Sequence, residues 1–237
     1  MILTAFFKAL SQLPDPRFQR VLWLGVGLTL ALLVGAYLLI LGVIGWFVSD
    51  PVSLPWIGEV TWIDNLLGWG SLFGVLIASV FLMIPIASAI TSLFLDTVAE
   101  AVEDAHYPDL PHVAATSILD GVRDSIAFLG VLVGANLVAL IGYILVPFAA
   151  PFIFYGMNGY LLGREYFQVA AMRRLGRTGA QALRKQHMGT IWTAGILMAL
   201  PLSIPLVNLF VPIIGAATFT HLYHRITRTA GLADPSG

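Results

Sequence analysis

The chain of 237 residues contains no cysteine, and this absence excludes several kinds of chemistry. Without a thiol the protein forms no disulfide, has no cysteine nucleophile and holds no metal through thiolates. A Walker A loop, a Gly-x-Ser-x-Gly motif and a His-Glu-x-x-His motif are also missing. We therefore predict that the protein is not an enzyme and uses no cofactor. Any transport would run down an existing gradient or depend on a partner.

Charged residues are scarce as well. They make up 11% of the chain, whereas a soluble domain has about 25%. Hydrophobic residues account for 58%, and the formal net charge of −1 gives no indication of nucleic-acid binding. This composition predicts an all-α integral membrane protein in which residues 1–237 form a single membrane domain.

Four long stretches lack Lys, Arg, Asp and Glu, and the first two predict membrane-spanning helices. A helix needs roughly 20 apolar residues to cross the hydrocarbon core. Residues 21–48 fit one spanning helix. Residues 66–95 fit a second, which we expect to continue past the membrane into an acidic end, so that the whole helix covers residues 66–104.

The other two stretches, residues 125–163 and 188–220, are long for one crossing and short for two crossings plus a turn. Prolines interrupt both, and proline breaks helical hydrogen bonding. Non-helical backbone at membrane depth persists only where protein or a water-filled cavity satisfies it. We predict re-entrant helical hairpins at 125–163 and 188–225, joined by a basic cytoplasmic helix at 164–187. Four to six full crossings remain the alternative. The prolines are Pro147 and Pro151 in the first stretch and Pro201, Pro205 and Pro212 in the second.

The N-terminal residues 1–14 predict a short amphipathic helix. Leu3, Phe6, Phe7 and Leu10 recur at helical spacing and form one apolar stripe. The segment is too short to span, so it suits a helix that lies in the membrane interface. A helix that packs into the protein core is the alternative.

Basic residues indicate the topology. They occur in the N-terminal segment, at residue 123, between residues 164 and 185, and at residues 225 and 228, whereas the loop at 49–65 has none. Because cytoplasmic loops carry an excess of Lys and Arg, we expect both termini in the cytoplasm and this loop outside.

Five residues are candidates for an anion pathway. Arg17 and Arg20 come just before the first spanning helix, and guanidinium groups bind tetrahedral oxyanions well. Lipid-headgroup or topogenic arginines are the alternative interpretation. Glu100 and Glu103 are either solvated acids or partners of arginines at a pore mouth. Asn208, flanked by prolines in the second hairpin, is the best candidate for a polar group that satisfies broken backbone.

Two histidines, His221 and His224, have a spacing that suits metal binding on a helix. No third ligand is near them in the sequence, so we interpret them as interfacial side chains and predict no metal site.

The segment from Ile204 to Thr218, with its Pro-Leu-Val-Asn208-Leu-Phe-Val-Pro212 core, closely resembles the C-terminal hairpin of the CysZ sulfate permeases. These permeases belong to a wider superfamily of etoposide-induced proteins. Ser11-Gln-Leu-Pro14-Asp-Pro-Arg17 is similar to the segment that carries the family's Pro-Gly-Leu-Arg sulfate-binding motif. Here Asp15-Pro16 replaces Gly-Leu, which places a carboxylate beside the proposed anion site.

The resemblance implies two spanning helices and two hemi-penetrating hairpins in the inner membrane of a bacterium. It also implies a homo-oligomer that takes up sulfate for cysteine synthesis without direct use of ATP. Sulfate or a related oxyanion and membrane lipid would then be the partners. A membrane-organising or assembly protein of the same superfamily, with no transport activity, is the second hypothesis.

Overall fold

The computed structural model of the chain describes residues 1–47, 53–54, 58–59, 94–111, 113 and 118–229. In these ranges the protein is helical apart from loops and one two-residue antiparallel ladder, in which β1 (Ser53–Leu54) pairs with β2 (Gly58–Glu59). The predicted all-α class is therefore confirmed for this part of the chain. The helices are α1 (Ile2–Ser11), α2 (Pro16–Phe47), α3 (Leu95–His106), α4 (Ile118–Leu145), α5 (Ala150–Gln186), α6 (Met188–Ala199), α7 (Pro205–Asn208) and α8 (Val211–Thr229).

Helix α2 begins where Asp15 caps it. The backbone N–H of Arg17 donates to Asp15 Oδ1 over 2.8 Å, which satisfies one of the free donors at the helix start. Pro16 occupies the first helical position, where its missing N–H costs nothing. Asp15-Pro16, the two residues that depart from the permease motif, therefore act here as a helix start.

Two helical segments are long and apolar enough to cross a membrane, among the residues that the structure describes: Pro16–Leu39 and Ile126–Leu145. The first corresponds to the predicted spanning helix at 21–48. The second is an arm of the hairpin predicted at 125–163, and its length meets the requirement for a full crossing. The other spanning helix is predicted at 66–104. Its residues 66–93 lie outside the described part of the chain, and its residues 95–104 fall in α3.

The chain reverses direction within residues 125–163, as the sequence predicts. Helix α4 ends at Leu145, and Pro147–Ala149 forms a short 3₁₀ turn before α5. Gly142 faces Ile153, and Phe128 faces Arg164, so the two helices run antiparallel. That this hairpin is re-entrant stays a prediction.

Helix α5 runs through residue 164 without a break, so the hairpin arm and the predicted basic helix at 164–187 are continuous there. The break comes at Gly176, which has φ 66° and ψ 177°. Side chains with a Cβ rarely adopt this backbone conformation, so glycine is needed at this kink.

Helix α6 packs closely against α5 through glycines. An added Cβ on Gly195 of α6 would lie 1.9 Å from the carbonyl oxygen of Gly159, and one on Gly163 would lie 2.7 Å from the carbonyl oxygen of Ile191. Only residues without side chains permit such an approach between two backbones. The pairing of Gly163 with Ile191 and of Gly159 with Gly195 makes α5 and α6 antiparallel.

Helix α8 forms the centre of the described structure. It packs against α1, α3 and α5, and residues 211–224 are all buried. Between α6 and α8, the prolines of residues 200–210 allow only a 3₁₀ turn (Leu200–Ser203) and the single turn α7. Gly215 lies against the Tyr166 ring, and Arg174 and His224 meet at Glu103, so α8 runs in the same direction as α5 and opposite to α6. The chain thus also reverses within residues 188–225.

Helix α1 has one face on the protein and one face open. Ala5 and Ala9 are buried against α8, while Leu3 and Phe7 are each 59% exposed. Leu10 belongs to the same open stripe. The two sequence interpretations therefore apply to different faces: the alanine face packs in the core, and most of the predicted apolar stripe remains uncovered by the described protein.

Candidate functional site

The carboxylate of Glu103 joins three helices in the interior of the protein. Glu103 lies on α3 and is 5% exposed. Arg174 of α5 binds it in a bidentate manner, with Nε 2.9 Å from Oε1 and Nη2 3.0 Å from Oε2. His224 Nε2 of α8 lies 3.0 Å from Oε1, and Arg173 Nη2 lies 3.7 Å from Oε2. A buried carboxylate requires such partners, because an unpaired buried charge costs several kcal/mol.

The environment of Glu103 determines its ionisation. Burial alone would raise the pKa of this carboxyl group, but hydrogen bonds with His224 and Arg174 outweigh burial and lower the pKa from 4.5 to about 2. The ionised group therefore stabilises the folded protein fully above about pH 4.5. This contribution is lost as the pH falls from about 4.5 to about 2.

Aromatic and imidazole rings extend this cluster. The Tyr107 hydroxyl lies 3.0 Å from His221 Nδ1, and the Tyr107 ring lies against the His224 ring with centroids 4.2 Å apart. The His106 ring meets the His221 ring edge to face, with centroids 4.7 Å apart. His221 and His224 are buried within the protein, so their side chains contact other residues rather than an open surface. Among the described residues no group of three or more His, Asp or Glu side chains is arranged to hold a metal ion.

A second ion pair lies next to Glu103. Arg17 Nη1 of α2 is 2.5 Å from Asp104 Oδ2 of α3. The pair is partly open to solvent, because the Arg17 side chain is 52% exposed and the Asp104 side chain 31%. An ion pair at this exposure contributes little to stability, so Arg17 is free to exchange its partner at small cost.

A small polar cavity lies beside Glu103 and Asp104. Its lining includes Glu103 and Asp104 of α3 together with Arg173 and Arg174 of α5, and its volume is about 30 Å³. A water molecule needs roughly 10–15 Å³ of such volume, so the cavity has room for about two waters.

The five residues predicted from the sequence occupy different environments. Glu100 and Glu103 lie on α3 and line the same cavity, and Arg17 of α2 pairs with Asp104 of α3. Glu103 is buried and paired with arginines, whereas Glu100 is exposed. Arg20 is exposed on α2. Asn208 lies apart from this cluster, at the end of α7. Its backbone N–H donates to the Ile204 carbonyl over 2.9 Å.

Sequence reasoning gave Tyr107, Arg173 and Arg174 no role, and it considered His224 only as a metal ligand or an interfacial side chain rather than as a partner of Glu103. One signal was present. Glu103 continues the apolar stripe Leu95, Ala99 and Val102 of α3 at helical spacing, and a carboxylate on a buried face needs a cationic partner. The identity of that partner was not visible, because Arg174 and His224 lie 71 and 121 residues away along the chain.

The fold and its apolar helices define the class of α-helical membrane proteins. Helices α2 and α4 expose large apolar side chains along their lengths, which a membrane would cover. The chain matches the family described as sulfate transporter CysZ/etoposide-induced protein 2.4 over residues 5–212, which is most of its length, and it belongs to this family. No protein with a curated description matches it.

Proposed function

We propose that the protein moves sulfate or a related oxyanion across the inner membrane of a bacterium, without using ATP, and so supplies cysteine synthesis. The observation that carries this proposal is that Arg17, Arg173 and Arg174 all pair with two adjacent carboxylates of α3, Glu103 and Asp104, in a chain of the family described as sulfate transporter CysZ/etoposide-induced protein 2.4. Guanidinium groups are the side chains best suited to bind oxyanions.

Carboxylates close the pathway in the described arrangement. Asp104 forms an ion pair with Arg17, and Glu103 forms ion pairs with Arg173 and Arg174, so each of the three cations already has a carboxylate partner. The bidentate, buried pair of Glu103 and Arg174 serves as the fixed part of the gate. The half-exposed pair of Arg17 and Asp104 is the part that opens, because an arriving oxyanion replaces the carboxylate at Arg17 with little loss of stability. Arg20, one helical turn further along α2, then provides a second cation.

The membrane arrangement belongs to the same proposal. Residues 125–163 and 188–225 form re-entrant hairpins, α1 lies in the membrane interface, and both termini are cytoplasmic. The exposed Leu3, Phe7 and Leu10 support the place of α1, since they form a stripe that hydrocarbon would cover. The protein functions as a homo-oligomer. The full length of Ile126–Leu145 also supports the alternative in which this arm crosses completely.

The test is uptake of radiolabelled sulfate into proteoliposomes that contain the purified protein, with sulfite and phosphate as competitors. Saturable uptake is expected. In Arg17→Gln, uptake should fall at least about tenfold, because a charge-assisted hydrogen bond to the anion is lost.

The matched control is Asp104→Asn, which breaks the same ion pair but keeps the cation. We expect Asp104→Asn to retain or increase uptake. Equal loss in both variants would show that Arg17 matters only as the partner of Asp104, and unchanged uptake in Arg17→Gln would remove its role.

A second function, organisation or assembly of membrane components without transport, is favoured by one observation. Arg17, Arg173 and Arg174 all have carboxylate partners already, as expected of ion pairs that only hold helices together. Folded protein without flux of any small anion would support this function and contradict the transport proposal.

A further inference from the structure

A groove between α4 and α5 stays open on the outside of the helical hairpin. Its volume is about 740 Å³, within the range of roughly 300–1,000 Å³ typical of small-molecule sites. Val131, Gly134 and Val138 line it from α4, and Ile153 and Tyr160 line it from α5. The lining carries no charged side chain. The groove therefore suits an apolar occupant.

Glycine accounts for the open space. A Cβ added to Gly134 of α4 or to Gly156 of α5 would meet nothing within 4 Å. These glycines differ from Gly159 and Gly163, which let α6 approach the backbone of α5. Trp192 of α6 borders the groove and donates its indole N–H to the Gly156 carbonyl over 2.8 Å, so its position is held.

A cation lies one helical turn beyond one end of the groove. Arg164 follows Tyr160 by four residues, and Phe128 precedes Val131 by three, so both lie on the faces that line the groove. The guanidinium carbon of Arg164 is 5.1 Å from the centre of the Phe128 ring. Arg164 Nη1 is buried and has no hydrogen-bond partner among the described residues. A buried donor without a partner calls for an acceptor that the described residues do not supply.

The dimensions agree with one leaflet of a membrane. Val131 and Gly142, at opposite ends of the groove on α4, are separated by about 16 Å at 1.5 Å per residue. Half of the hydrocarbon core is about 15 Å thick. Under the proposed topology the Arg164 end faces the cytoplasm, where basic pockets between membrane helices bind lipid headgroups.

We infer that this groove binds one anionic phospholipid of the cytoplasmic leaflet, with an acyl chain between α4 and α5 and the headgroup phosphate on Arg164. The inference rests on the proposed membrane arrangement but not on transport. Glu165, the neighbouring residue, interacts electrostatically with Arg164, but it leaves Arg164 Nη1 without a hydrogen-bond partner in the described part of the chain, because successive helical side chains point about 100° apart.

Native mass spectrometry of the purified full chain tests this inference. The probes are phosphatidylglycerol and phosphatidylcholine with identical acyl chains. We expect one phosphatidylglycerol to bind per protomer in preference to phosphatidylcholine. Gly134→Leu fills the groove and should abolish retention of both lipids. Arg164→Gln should weaken the binding of phosphatidylglycerol about fivefold and leave the binding of phosphatidylcholine unchanged.

Each variant has a matched control. Gly130→Leu introduces the same side chain on the same helix at a position that also has open space, but Gly130 does not line the groove. Lys185→Gln removes one exposed positive charge from α5. Both controls should bind phosphatidylglycerol as the unmodified protein does.

Several outcomes would overturn the inference. Retention of lipid by Gly134→Leu would place the acyl chain elsewhere. Displacement of phosphatidylglycerol by free sulfate or phosphate would make Arg164 a site for soluble anions. Loss of oligomers in Gly134→Leu would make the groove a contact between copies of the chain, and a lipid-free unmodified protein would mean that another segment fills it. None of these measurements involves sulfate flux, so they remain separate from the transport test.

Discussion

Helices α4 and α8 reverse the arrangement expected of a protein in water. Helix α4 is apolar along most of its length, and its large side chains are exposed; Leu129 is 58% exposed and Val138 is 70% exposed. Helix α8 carries Thr218, Thr220, His221, His224 and Thr227, and all of these are buried. In a membrane, hydrocarbon covers an apolar helix at no cost, whereas polar groups must find partners inside the protein. The polar helix therefore organises the described fold, and the apolar helix presents a surface that a membrane would cover.

The largest expected effect comes from breaking the polar contacts that hold α8. Glu103→Gln removes the charge that Arg173, Arg174 and His224 share, and breaking a buried ion pair costs about 3–5 kcal/mol. Glu100→Gln, an exposed position on the same helix, should change the free energy of unfolding by less than about 0.5 kcal/mol. Thermal unfolding in detergent micelles compares the two. Similar melting temperatures would contradict the role given to Glu103.

The same leucine-to-alanine change in each helix tests the comparison directly. Leu222 of α8 is fully buried, so Leu222→Ala should cost about 2–5 kcal/mol through lost contacts and a cavity. Leu129 of α4 is mostly exposed, so Leu129→Ala should cost well below about 1 kcal/mol. The measurement is again the unfolding midpoint in detergent. A larger loss in Leu129→Ala would mean that α4, not α8, lies at the centre of the fold.

A smaller effect is expected where α6 meets α5. In Gly195→Ala the added methyl group collides with the Gly159 carbonyl, and overpacking of this kind costs about 1–3 kcal/mol. Gly189→Ala, on the same helix with open space around it, should leave stability unchanged or slightly raised. The ratio of folded to aggregated protein after heating, measured by size-exclusion chromatography, separates the two variants. Equal behaviour would contradict the close approach of α5 and α6.

Local sequence signals predicted much of the helical organisation. The uncharged stretches at 21–48 and 125–163 correspond to long helices, and the breaks at Pro147 and at residues 200–210 correspond to reversals of the chain. Proline interrupts a helix through its own missing donor, so its effect is readable without knowledge of the fold. Kinks that depend on glycine are harder to predict. Gly176 has a positive φ, whereas most other described glycines are ordinary helical residues, so a glycine does not by itself indicate a kink.

The candidate site was predictable only in part. The sequence identified Arg17 and Glu103 as charged residues next to apolar helices, and pairing of Glu103 with arginines was among its interpretations. It did not indicate that Asp104 holds Arg17, nor that Glu100 and Glu103 differ in exposure. Those facts depend on how α2, α5 and α8 pack around α3.

By itself the sequence determined the membrane class, the long apolar helices within 21–48 and 125–163, and the positions where proline breaks helices. These properties follow from the composition of each segment and from the fixed geometry of proline. Only the tertiary structure decided which polar groups meet: His224 with Glu103, Tyr107 with His221 and Arg17 with Asp104. The physical reason is that a buried charge is stabilised by partners from distant segments, and the choice among twelve Lys and Arg side chains and five histidines is made by helix packing rather than by local sequence.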